Sequence, residues 1–378
     1  NKSNVDKKRV VLIKSNLMAE ETRRPKLARA LNRKYDLLAI SWDRGQLSPR
    51  IQNTLNDYEE IILKLKAPIG LMSLFFLPIW WCYLFISLIT HKWDIAHVVN
   101  FDSIIPTVLA GKIKKKPVIY EILDTYVDQV KLPDPIREMG ILVDKLFISL
   151  ADAVIIADEG QIGEFRGIPN SKIVPIYDSP EVNGNIICEC QKNNVFTLFF
   201  AGMLTSARAL NLEKVFTAIE NIRNVQVIIA GYGDLVETIN EWVLKMPEKV
   251  QYIGPLSHEE VLRRSAQSDL LFVLRDPIVP VNKYICGSKL LEAMMCGKPL
   301  LVNQGTSTAD IVQKENCGVV VDAKDITEVR DAIIRLRNDP DLCRVLGSNA
   351  HEAYQKKYGW SIMENRLLSL YEELMVEY

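Results

Sequence analysis

Neither sign of charge dominates this sequence: 46 Lys and Arg stand against 47 Asp and Glu in 378 residues, a formal net charge of −1. So balanced a chain offers nucleic acid no global attraction, and none is expected as a partner. Cysteine lacks any pairing pattern. The seven (Cys82, Cys188, Cys190, Cys286, Cys296, Cys317 and Cys343) are odd in number and mostly embedded in apolar runs, which favours reduced thiols in the cytosol over a disulfide framework. Cys188 and Cys190 have no histidine-bearing partner pair, so no zinc site is expected. No D-x-D stands in a loop suited to Mg²⁺-diphosphate, no internal repeat or low-complexity tract stands out, and the opening NKSNVDKKRVVLIK carries no secretory pattern.

What is there is length and alternation. A chain of 378 residues exceeds what one core usually covers, and a hydrophobic content of 48% suffices for two. Buried strands are predicted at 9–14, 36–42, 59–65, 94–99, 116–122 and 152–157, with helices at 23–34, 103–115 and 135–150. This is the βαβ alternation of a parallel, Rossmann-like sheet. The stretch 177–194, rich in Pro, Gly, Asn and charge, reads as the domain boundary. VFTLFFAGML then opens a second α/β domain.

One segment breaks the soluble pattern. Residues 67–90, APIGLMSLFFLPIWWCYLFISLIT, carry no charge over a length that could span a bilayer. The strands predicted on either side belong to one parallel sheet, so both ends must lie on the same side of any membrane, and Pro78 interrupts a continuous helix. The expectation is a crossover helix dipping into one leaflet, with Trp80, Trp81, Tyr83 and Trp93 as interfacial anchors. Burial in an interface is the other reading. The Lys114, Lys115, Lys116 cluster reads as a solvated helix end, or as a contact for anionic headgroups.

The stretch Val281–Asp322 is read as a natural anion site. A loop ending in Gly287 leads into the helix SKLLEAMMCG, with Ser288 expected to cap its first turn and the strand KPLLV behind. Backbone N–H groups and the positive end of the helix dipole meet at that turn. Lys289 adds a full charge, and Glu292, one turn on, can accept hydrogen bonds from sugar hydroxyls.

The whole pattern, K-x-x-E-A-M-x-x-G-K-P, then a Gly turn, then C-G-V-V-V-D, resembles the donor-nucleotide site of the retaining glycosyltransferases of family 4, which have the GT-B fold. Upstream, AGMLTSARALNLEKVFTAIENIRNVQVIIAGYGD resembles the family's G-x-L-x-x-x-[RK]-G-L, helix and strand. VQYIGPLSHEEV looks like its base-pocket turn, and WSIMENRLLSLYEEL like its closing helix. DIAHVVNFDS with KPVIYEILDTYVD is similar to its acceptor-side stretch. The resemblance implies two Rossmann-like domains with a cleft between them and a C-terminal helix crossing back to the first. The domains are expected at 1–180 (acceptor side, with the apolar 67–90), 190–358 (nucleotide-sugar side) and 359–378 (the crossing helix).

By the same resemblance, Gly202, Arg208, Gly254, Leu256, Gly287, Ser288, Lys289, Leu290 and Glu292 line the donor site, and Asp102, Asp124, Arg208 and Lys289 are the candidate catalytic residues. The chain departs from the family at Val99 and Leu123, where histidines are common. It departs also at Met203, where many members have a second basic residue, at Ala209 in place of glycine, and at Tyr284 in place of a glutamate. His97, inside an apolar strand, reads as a core residue rather than a catalytic one.

The activity implied is retaining, metal-independent transfer from a UDP- or GDP-sugar. Arg208, Lys289 and the helix N-terminus would stabilise the leaving diphosphate. No cofactor is expected beyond the nucleotide sugar as substrate. The apolar segment points to a lipid-linked or glycolipid acceptor and a peripheral or monotopic place on the cytoplasmic face of a membrane. Two other readings stay open: a nucleotide-sugar 2-epimerase of the same fold, and a catalytically silent membrane scaffold.

Overall fold

The computed structural model describes residues 7–17, 23–45, 58–68, 70–123, 134–170, 172–181 and 195–378. By contacts the chain divides into two compact units, Asn1–Tyr177 with Met363–Tyr378, and Asp178–Ile362.

The first unit is built on seven parallel strands: β1 (Arg9–Lys14), β2 (Asp36–Asp43), β3 (Glu59–Lys64), β4 (Ile95–Val99), β5 (Val118–Ile122), β6 (Ala153–Ile156) and β7 (Ile173–Pro175), in the order β3-β2-β1-β4-β5-β6-β7. The central strands read as unbroken apolar runs because helices cover both of their faces. Strand order reverses between β1 and β4, the point at which open α/β sheets form a crevice at their carboxyl ends.

The uncharged segment is the crossover from β3 to β4. A 3₁₀ stretch, Gly70–Phe76, leads into the helix Leu77–Thr90, and Pro78 sits in its first turn, where a missing N–H costs nothing. Pro78 therefore starts the helix rather than breaking it. Leu77, Trp80, Leu84, Ser87 and Leu88 form the inner face, packed in the core with Trp42, Val98 and Val108. On the outside, Met72, Phe75, Ile79 and Ile86 are 50–75% exposed. The stretch Met72–Thr90 is long and apolar enough to cross a membrane by length and composition, yet a third of it is buried against the sheet.

The expected tryptophan anchors need correction. Trp80 is fully buried and Trp93 nearly so, its indole donating to the Leu88 carbonyl at 2.8 Å. An all-apolar segment has no polar phase to tell inner from outer positions. The helices Phe101–Lys114 and Asp134–Leu150 step along the sheet in the same direction, so right-handed crossovers set all three on one face. They add exposed Leu109, Ile113, Met139, Leu142 and Leu146 to the outer apolar surface.

His97, on β4, is fully buried. Its Nε2 meets Glu121 Oε2 at 3.1 Å and its Nδ1 the Tyr371 hydroxyl at 2.7 Å, which ties the C-terminal helix Trp360–Glu377 to the sheet. Glu121 also takes two hydrogen bonds from Arg23. Burial alone would raise the Glu121 carboxyl, but the Arg23 guanidinium and then His97 outweigh it and hold it well below the usual carboxylate range. Both residues thus belong to the frame of the unit.

The second unit carries β8 (Phe196–Met203), β9 (Val225–Tyr232), β10 (Val250–Tyr252), β11 (Leu270–Val273), β12 (Leu300–Asn303) and β13 (Gly318–Val321), all parallel, in the order β10-β9-β8-β11-β12-β13. Its order reverses between β8 and β11. From Met363 onward the C-terminal helix belongs to the first unit.

Candidate functional site

In the second unit the residues after β8 and after β11 meet at the reversal of strand order. Gly202 and Gly231 are paired across β8 and β9, and a Cβ on Gly231, whose φ is +140°, would stand 1.8 Å from the Gly202 carbonyl oxygen. Only glycine permits that approach. The Gly231 N–H donates to the Gly254 carbonyl at 2.9 Å, and the Tyr252 hydroxyl donates to the Gly231 carbonyl. Gly202 lies beside the Lys289 stem, with a Cβ there 3.5 Å from Cε. Leu256 is half-buried on the turn before the helix His258–Gln267.

The loop that bears Arg208 is pinned at both ends. Asp234 accepts the backbone and side-chain donors of Ser206, and Ala209 adopts a left-handed φ of +45° where the resembling pattern has glycine. Leu210 then bridges antiparallel to Arg275, the Asp276 N–H donates to the Ala209 carbonyl at 3.0 Å, and Asn282 Nδ2 donates to the carbonyls of both Arg208 and Asp276 at 2.9 Å. Among the described residues neither Arg208 nor Arg275 has a carboxylate partner.

The helix Ser288–Met295 forms as expected, but Ser288 is not its cap. Gly287 holds the N-cap position in an extended conformation (φ −75°, ψ 151°) and no side chain caps the turn. Gly-Ser is ambiguous by one residue from composition alone, and here no side chain takes a donor of the first turn. Lys289 Nζ donates to both oxygens of Glu292, at 2.9 and 2.7 Å, with Glu292 buried. The two groups to which the sequence assigns separate tasks are therefore partners in this structure. Leu290 turns its side chain into the core, and its N–H is taken by the Gly287 carbonyl at 3.1 Å.

Asp102 belongs to the first unit, just after β4 at that unit's own reversal. It accepts from Ser15 and, at 3.0 Å, from Ser103, with Arg44 Nη2 at 3.6 Å. Burial raises its carboxyl, and the hydrogen bond from Ser15 and the charge of Arg44 only partly offset this. The indoles of Trp80 and Trp81, from the apolar crossover helix, donate to Ser103 Oγ (3.0 Å) and the Asp102 carbonyl (2.8 Å). Asp124 lies outside the described residues, as do Cys188 and Cys190.

No motif in the sequence marks Arg275. Its signal, a charged residue just after a strand with the buried amide of Asn282 on the next turn, acquires meaning only once the strand order is known.

Residues 191–353, less than half of the chain, match the family model described as glycosyl transferases group 1. Over 169 residues, 44% of this chain, it is 26% identical to N-acetyl-alpha-D-glucosaminyl L-malate synthase of Bacillus anthracis. Over 148 residues, 39% of this chain, it is 22% identical to the GDP-mannose-dependent monoacylated alpha-(1-6)-phosphatidylinositol monomannoside mannosyltransferase of Corynebacterium glutamicum. The alignments span 41% and 39% of those relatives' own lengths. The structure of Anabaena HepE in complex with UDP superposes with a TM-score of 0.71 at 13% identity, covering 97% of this chain and all of that one. The architecture is thus the GT-B fold of two Rossmann-like domains, and the matches support a group 1 glycosyltransferase.

Proposed function

We propose that this chain is a retaining, metal-independent glycosyltransferase that moves a sugar from a nucleotide-diphosphate sugar, UDP- or GDP-linked, to a lipid-linked acceptor at the cytoplasmic face of a membrane. One observation carries the donor half: Arg208, the Lys289–Glu292 pair and an uncapped helix N-terminus gather at the strand-order reversal of the second unit. Cations and backbone donors so placed oppose the charge that builds on a departing diphosphate, and they need no reorganisation as it builds. A bound donor takes over part of the internal pair, its diphosphate engaging Lys289 while sugar hydroxyls reach Glu292.

UDP bound in the HepE structure of the same fold and the GDP-mannose dependence of the C. glutamicum relative fit a nucleotide sugar. Retention rests on the resemblance to family 4. The lipid-linked acceptor rests on the outer apolar face of the first unit. The names of the two relatives, one an L-malate synthase and the other a phosphatidylinositol monomannoside mannosyltransferase, fall on both sides of that choice. Asp102 is the carboxylate of the first unit best placed, after β4, to act on an acceptor.

A thermal-shift panel of nucleoside mono- and diphosphates and their sugars tests the donor half. A stabilising shift with one nucleoside diphosphate, growing with the logarithm of its concentration, is expected. No shift with any of them would sink the reading.

A further inference from the structure

We propose that Arg275 is a second guanidinium for the donor's diphosphate, set beside Arg208 and against the N-cap of the Ser288–Met295 helix. The assignment rests on the donor-site reading above and adds to it a residue that no part of the sequence pattern marks. The backbone carries the two arginines together. The Leu210–Arg275 bridge, the Asn211 N–H to the Leu274 carbonyl (2.9 Å) and the Asn282 amide across Arg208 and Asp276 hold one loop to the other. Asn303 Nδ2 donates to the Arg275 carbonyl at 2.9 Å and fixes the same turn from β12.

The side chain of Arg275 then lies against Gly287. A Cβ at Gly287 would meet Nη1 at 3.0 Å and Nη2 at 3.7 Å, so the glycine leaves room for the guanidinium at the start of the helix. Among the described residues its Nε is buried with no acceptor. Two like charges and a buried unpaired donor beside the positive end of a helix oppose folding. Burial, and next the charge of Arg208, push Arg275 down to about 10. An anion with several oxygens relieves all of these at once.

A diphosphate matches best, because planar forks pair with its oxygens two at a time. A second basic residue is absent at Met203, where the resembling pattern has one. Arg275 restores that charge from the loop after β11.

The test compares wild type, Arg275→Ala and Arg275→Lys by calorimetric binding of UDP, GDP, UMP and GMP, with ligand-free melting of each protein. For the nucleoside diphosphate that wild type binds, Arg275→Ala is expected to lose roughly tenfold or more in affinity. Its loss for the matching monophosphate should be smaller, Arg275→Lys should recover part, and the ligand-free Tm should not fall. A residue needed only for folding would give the reverse: a lower ligand-free Tm and unchanged diphosphate affinity in the folded fraction. Equal binding by wild type and Arg275→Ala overturns the assignment alone. Wild type that binds no nucleoside diphosphate overturns the donor reading, and this assignment with it.

Discussion

Lys289 and Glu292 close on one another one helical turn apart, the ammonium donating to both carboxylate oxygens within 2.9 Å while the carboxylate stays buried. The two ends of the pair are not equivalent. Lys289→Ala strands a buried charge, whereas Glu292→Gln leaves an ammonium that can turn to solvent. Lys289→Ala is therefore expected to cost about 3 kcal/mol or more of stability and Glu292→Gln distinctly less, as read from urea unfolding. Both should raise the donor KM. Equal stability losses would contradict the buried pair.

The glycine contact between β8 and β9 gives a second prediction. Gly231→Ala puts a Cβ 1.8 Å from the Gly202 carbonyl oxygen, so β8 and β9, which carry residues of the proposed donor site, must part. Gly167 also has positive φ, +98°, but nothing lies within 4 Å of its Cβ position. Gly167→Ala should cost only the backbone strain, about 1–2 kcal/mol, and Gly231→Ala substantially more. Thermal melting of the two variants side by side decides it.

Inner and outer faces of the apolar crossover helix should separate lipid binding from folding. Replacing exposed Phe75, Ile79 and Ile86 together by serine is expected to abolish flotation with anionic liposomes and leave Tm nearly unchanged. Trp80→Ala, at a fully buried position, should cost about 3–5 kcal/mol. A triple variant that floats like wild type would contradict the membrane face.

Asp144 predicts a pH dependence. It is buried on the helix Asp134–Leu150, accepts the Tyr120 hydroxyl at 2.7 Å, and burial pushes its carboxyl from 3.8 up to about 7. Raised in the folded state, the group keeps its proton where the unfolded chain has lost it. Its contribution to stability is thus complete below the ordinary value of 3.8 and is lost as pH rises through about 7. Asp144→Asn should lose less Tm than wild type between pH 4 and pH 8. Parallel curves would contradict it.

The α/β alternation was legible because strands such as RVVLIK and EEIILK, with their neighbouring helices, obey different periods, and the structure puts β1 and β3 at 9–14 and 59–64. The burial of His97 was legible from its apolar strand. Other features depend on relations that no single stretch contains. Trp80 and Trp93 point inward because of the sheet beneath them, and the uncharged run has no phase to reveal it. Gly287 rather than Ser288 holds the N-cap position because backbone conformation, not residue type, decides between neighbours. Arg275 comes beside the Arg208 loop through strand order, which sets β11 next to β8.

The most direct measurement follows radiolabelled sugar from UDP- and GDP-sugars into the organic-soluble fraction of membranes, with purified protein and excess EDTA. Transfer of label from one nucleotide sugar, lost in Arg208→Ala and Lys289→Ala, is the predicted result. Wild-type protein that moves no label from any nucleotide sugar to lipid or to water-soluble acceptors would contradict the proposed activity.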